Sequence, residues 1–215
     1  MPTNRFITQQ AGGLAALVQA GLALAALVVA FGLIGPDALT DSARLSALAA
    51  TNPAPLFIQD GLKLASAAAA AILVVAVFHH TRAIAPDLMR WAAALGLLAC
   101  LCLLANACLS LYAVAHIAGF APGPAGLGGQ LQGPIGMLGL AAIVINGLWY
   151  LLVSGSAVRT NTLPRRLSYF GLVLGALSLL PPLSILVLLL SVAWLVGLGR
   201  WLLSSRPACD LPAQG

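Results

Sequence analysis

The sequence predicts an all-α fold, a polytopic transmembrane bundle of six helices with both termini on the cytoplasmic side. Three observations lead there. The 215 residues are 61% hydrophobic and 7% charged, with no Glu, too little polar surface to cover a soluble globule, so lipid must be the solvent for most of the chain. Apolar runs of spanning length recur between short polar gaps, and the ten basic and five acidic residues lie in or near those gaps. The basic residues also partition. If the spans alternate, Arg5, Arg82, Arg90, Arg159, Arg165, Arg166, Arg200 and Arg206 share one side and only Arg44 and Lys63 the other, which marks the first side as cytoplasmic.

The first span, 11–34, ends at Gly35-Pro36-Asp37. Its apolar segment is longer than the roughly 7–15 residues of a signal h-region, so it reads as a span. An exterior loop, 35–60, follows, in which Thr40-Asp41-Ser42 caps a short interfacial helix to about Ala50 with Leu45, Leu48 and Ala49 on one face. The second span, 61–80, opens after Asn52-Pro53 and Asp60, and the third covers 91–115. Residues 118–134 form an uncharged Gly/Pro connector, and the fourth span is 135–153. Although the connector holds Gly126, Gly128, Gly129 and Gly133, no strand precedes them and no basic residue accompanies them, so a phosphate cradle is not indicated. The stretch from Leu167 to Leu203 is apolar throughout apart from Arg200. As a straight helix it would measure roughly 55 Å, well beyond a hydrocarbon core of about 30 Å. Pro181-Pro182 must therefore turn the chain between a fifth span, 167–180, and a sixth, 183–203. Trp91, Trp149, Tyr150, Tyr169 and Trp201 are expected near the cytoplasmic headgroups, where amphipathic rings settle.

Within the spans, small residues form stripes. Gln9, Gly12, Ala16, Gln19, Ala23, Ala26 and Ala30 recur at steps of three and four, as do Ala92, Ala99, Cys102, Asn106, Ser110 and Ala113, and Ser168, Gly171, Gly175 and Ser178. Apolar side chains gain nothing by leaving lipid for each other, so helices associate where small residues let backbones approach and polar groups pair. Gly12, Gly171 and Gly175 are accordingly the expected packing positions.

Chemistry-bearing residues are few. His79 and His80 end the second span and His116 ends the third, about a membrane thickness away, which excludes a bis-His haem across them. Adjacent helical residues point about 100° apart, so His79 and His80 do not clamp one metal ion. Asp60 and Lys63 read as an anchoring pair, with Asp60 capping the second span and Lys63 snorkelling outward. Cys100, Cys102 and Cys108 lie inside the third span and Cys209 in the tail, as small apolar packing residues. Gln19, Asn106, Asn146 and Tyr150 are the buried polar residues able to line a ligand path or tie helices together. No Ser/His/Asp set, zinc spacing, Cys-x-x-Cys pair or phosphate loop occurs. No catalytic, metal or cofactor residues are assigned, and no cofactor is expected.

The run Asn146-Gly-Leu-Trp-Tyr-Leu-Leu, then Ser154-Gly-Ser, Thr162-Leu-Pro-Arg-Arg-Leu and Phe170-Gly-Leu-Val-Leu-Gly175 resembles a bacterial six-helix integral membrane family of unknown function, with a cytoplasmic Leu-Pro-Arg turn. That resemblance implies the architecture and transfers no site residue. The expectation is a non-catalytic protein of a bacterial cytoplasmic membrane, a scaffold or accessory subunit. Its expected partners are membrane lipids and a membrane-protein partner or a second copy, with no nucleic acid: a net charge of +5 spread over helix ends is what orientation requires. The alternative is a facilitative carrier or channel for a small neutral or apolar solute.

Overall fold

The computed structural model describes residues 3–37, 41–82, 86–116 and 127–204. Among them all regular structure is helical. Helix α1 (Thr3–Val28) runs into a π-helical end, Val29–Ile34, and is followed by α2 (Ser42–Thr51), α3 (Ala54–Thr81), α4 (Pro86–His116), α5 (Leu127–Thr160), α6 (Arg165–Leu177) and α7 (Ser184–Ser204). Five of these helices (α1 with its π-helical end, α3, α4, α5 and α7) are long and apolar enough to cross a membrane. The protein is a multi-pass helical membrane protein.

Several helix ends follow from local chemistry. α1 closes where the Gly35 amide donates to the Ala30 carbonyl, and Gly35, at φ 88°, takes a left-handed turn that side chains resist. α3 begins after Pro53, earlier than the 61 expected from hydropathy, because Pro53 and Pro55 are tolerated in a first helical turn. Asp60 therefore lies in the second turn, 2% exposed, and does not cap the helix. α5 begins at Leu127 and passes through Pro134, so the segment read as a connector up to 134 is helical from 127. Asn161, at φ 53°, stops α5, and Pro164 starts α6.

α6 has 13 residues, about 20 Å, short of the roughly 30 Å core. Pro164 sets its start. At its far end Leu180, preceding Pro181, is steered away from helical backbone, and Pro181 lacks the amide that would continue the ladder. The expectation of six spans is met by length in five helices, with α6 as a shorter arm turned onto α7 through the tight helical turn Pro181–Leu183.

α1 packs on α3 and α7, α3 on α4, α4 on α5, α5 on α6, and α6 on α7, which closes a ring of six helices. The main core draws on Ala16, Leu73, Val74, Met89, Trp149, Tyr150, Val153, Leu174, Trp194 and Leu198. A smaller cluster at the other end joins Val29, Ile34, Ala49 and Leu56, with Leu45 and Leu48 of α2 against it, so α2 caps that end. Outward faces carry Leu14, Val28, Ile72, Leu101, Met137, Ile185 and similar side chains, as lipid contact requires.

Close approach is concentrated where glycine permits it. A methyl on Gly12 would strike Ala76 of α3, and one on Gly199 would lie 2.9 Å from the Gly13 carbonyl of α1. Gly175 and Gly147 join α6 to α5: a Gly175 methyl would lie 2.8 Å from the Gly147 carbonyl.

Candidate functional site

At the heart of the ring, α5 and α7 place three aromatic rings together. Trp194 meets Tyr150 edge-on at 4.9 Å between centroids and Trp149 edge-on at 5.9 Å, the T-shaped geometry that aligns a positive ring edge with a negative face. Trp194 is fully buried, and its Nε1–H donates to the Leu167 carbonyl of α6 at 3.2 Å. That donor would otherwise be stranded in a medium without water. Gly171 makes the approach possible, since a methyl there would sit 2.7 Å from Trp194 Nε1 and would strike Ser154 Oγ. Gly96 of α4 does the same for Trp149, 2.9 Å from its ring.

The structure corrects the position of Trp149 and Tyr150. Both were expected in the headgroup belt, with Tyr150 also among the buried polar residues; they are 3% and 2% exposed and fill the core. They lie about ten residues from the end of α5 at Thr160, roughly 15 Å into the bundle. Trp91 and Tyr169 are exposed at the helix ends. Trp194, central here, was not singled out from sequence, because a lone Trp in an apolar run carries no positional signal.

The four candidate polar residues, of which Asn106 and Tyr150 are buried and Gln19 and Asn146 half-buried, do not converge on one site. Tyr150, 2% exposed, lies on α5 one turn beyond the half-buried Asn146. Asn106 is separate. Its Nδ2 donates to the Ile135 carbonyl at 2.7 Å, eleven residues or about 16 Å along α5 from Asn146. Gly139 leaves room for that amide, since a methyl there would lie 3.3 Å from Asn106 Nδ2. Gln19 of α1 holds a buried Oε1 with no donor among the described residues, as do Gln59 Oε1, Asp60 Oδ2 and Ser154 Oγ.

Asp60 and Lys63 form an ion pair at 2.8 Å, with the carboxylate 2% and the ammonium side chain 28% exposed. The pair lies on α3 between Leu56 of the capping cluster and Leu73 of the main core, with Asp60 enclosed and Lys63 partly exposed. A cavity of about 10 Å³, enough for one water, lies at the Arg-bearing end between Val77, Thr81, Val153, Leu198 and Trp201.

The histidines occupy opposite ends. His79 and His80 close α3, with the His80 ring edge-on to Trp201 at 5.3 Å, whereas His116 closes α4 stacked on Tyr112 at 4.2 Å. No group of three His, Cys, Asp or Glu able to hold a metal ion occurs among the described residues. Comparison with protein families, characterised proteins and solved structures finds no match to this chain.

Proposed function

We propose that this chain is a non-catalytic scaffold or accessory subunit of a bacterial cytoplasmic membrane, crossing it six times with both termini inside and acting through lipid or protein neighbours. The observation that carries this reading is the use of the interior for packing: Trp149, Tyr150 and Trp194 fill the ring centre. Gln9, Asn106 and Trp194 each reach between helices and end on backbone carbonyls, of α7, α5 and α6 respectively. Such a core holds helices in one arrangement and presents its chemistry outward. Purified protein in liposomes is expected to move no solute above the protein-free rate, while native mass spectrometry after gentle extraction shows a stoichiometric partner chain. Sustained transport of a defined solute by the protein alone would sink the proposal.

A facilitative carrier is the second reading, favoured by the unpartnered buried Gln19 Oε1 and Ser154 Oγ, acceptors that a passing hydroxyl or amide solute would satisfy. Under it, Asn106→Leu and Asn146→Leu abolish uptake in folded protein; uptake at the wild-type rate counts against it.

A further inference from the structure

Charge is distributed very unevenly between the two ends of the bundle. At the α2 end, Arg44 contacts Asp37 at 3.1 Å and Asp41 at 3.5 Å, and Lys63 holds Asp60, so both cations are neutralised. At the opposite end Arg90 meets Asp87 at 3.2 Å. Arg82, Arg159, Arg165, Arg166 and Arg200 there pair with no carboxylate among the described residues, and all five are exposed. Four of these five gather around α6. The turn after Thr160 joins Arg159 to Arg165 and Arg166, and a methyl on Gly197 would touch Leu167 at 3.0 Å, which puts Arg200 of α7, one turn further on, level with the start of α6.

The turn itself is braced. Thr160 Oγ1 donates to the Ser156 carbonyl at 2.8 Å and pairs with Thr162 Oγ1 at 3.0 Å, while Leu163 is buried beneath. Arg165 and Arg166 are therefore held at a defined height. Below them, at steps of three and four residues, the outward face of α6 carries Tyr169 (57% exposed), Val173 (54%) and Ala176, and the exposed Leu180 (52%) follows just beyond the end of the helix. The opposite face, Ser168, Gly171, Leu174 and Gly175, is buried. One helix face thus passes from two unpaired guanidinium groups through a phenol to aliphatic side chains over about 20 Å, the order of chemistry met in a phospholipid from phosphate through glycerol ester to acyl chain.

We infer that this face of α6, with Arg165, Arg166 and Tyr169 at its head, is a binding site for an anionic phospholipid. Guanidinium groups recognise the phosphate diester by paired hydrogen bonds, and the first turn of α6, which has no side-chain cap, adds unpaired amides facing the same way. Continuity of the charged head with an apolar strip selects a lipid over a free anion. The inference rests on the scaffold reading only where that reading has α6 face lipid. Solute transport would sink that reading and leave lipid selectivity intact, whereas lost selectivity in an otherwise inert protein would sink this one.

The test is native mass spectrometry of the full-length protein released from nanodiscs of equimolar dioleoylphosphatidylglycerol and dioleoylphosphatidylcholine. Wild type is expected to retain the anionic lipid preferentially. Arg165→Gln/Arg166→Gln should reduce that preference about 30-fold, taking each juxtamembrane cation at its usual worth, with tryptophan fluorescence and melting unchanged. Arg90→Gln, at the same end but paired with Asp87, should leave it intact. Tyr169→Ala should lower it less than the double Arg variant. The inference is overturned if the double variant keeps the preference, or if Arg90→Gln reduces it equally, which would reveal a diffuse field. Displacement of the lipid by millimolar inorganic phosphate, or an acidic peptide binding where the lipid shows no preference, would overturn it as well.

Discussion

At Gly171 an added methyl would meet the Ser154 hydroxyl and the indole nitrogen of Trp194, the latter at 2.7 Å, both belonging to side chains that are themselves fully buried. Neither neighbour has room to retreat, so Gly171→Ala is expected to destabilise the bundle by about 1–3 kcal/mol, read as a lower melting temperature in detergent. Gly61→Ala is the control: a methyl there finds nothing within 4 Å, and because Ala is favoured over Gly inside a helix by up to about 1 kcal/mol the melting temperature should hold or rise slightly. Asn106→Leu removes the hydrogen bond to the Ile135 carbonyl and should cost about 1 kcal/mol, the usual worth of an interhelical hydrogen bond in a membrane, with the helical circular dichroism retained. Residue types at these positions were readable in sequence, because small and polar residues at helical spacing stand out among Leu and Val. Their partners were not readable. Nothing in the spacing of α4 tells that Asn106 reaches α5, and the burial of Asp60 emerged only once α3 was found to begin at Ala54.

At the scale of elements, Pro and Gly explain where helices stop, whereas hydropathy alone misjudged two starts. The hydropathic run of α3 opens at Gly61, but Pro53 and Pro55 suit a first turn and the helix begins there. Residues up to Pro134 read as a connector, yet α5 runs through it from Leu127; Pro134 is the eighth residue of the helix, where it removes one backbone hydrogen bond and crowds the carbonyl four residues before it. α6 is the element most dependent on its neighbours. At 13 residues it lacks the length to span alone, and it is held by Gly171 and Gly175 against α5 and by Trp194 from α7. Trp194→Ala is therefore expected to cost about 3–5 kcal/mol, with proteolysis in detergent first cutting near the 161–164 turn. Trp194→Phe, which keeps most of the volume and loses the bond to the Leu167 carbonyl, should cost about 1 kcal/mol. Equal melting temperatures for the two variants would show that ring volume contributes nothing at this position.

At the scale of the whole molecule, the ring of six helices puts, among the described residues, five arginines without a carboxylate partner at one end and three carboxylates with two paired cations at the other. In the proposed topology, the end that carries the arginines is the cytoplasmic one. With native cysteines replaced by alanine, Arg44→Cys in intact cells is expected to react with a membrane-impermeant maleimide, and Arg159→Cys only after permeabilisation. The reverse pattern would invert the proposed topology. The sequence by itself determined that the chain is helical and membrane-embedded, since 61% apolar residues without Glu leave lipid as the only solvent and hydrocarbon demands that each span satisfy its own backbone. The tertiary structure alone decided which helices are neighbours, that Trp149, Tyr150 and Trp194 meet at the centre, and that Asp60 is enclosed while Arg165 and Arg166 stay open. The physical reason is that insertion depends on composition, which is additive along the chain, whereas helix association depends on shape matched between residues far apart in sequence, and no single helix encodes its partner.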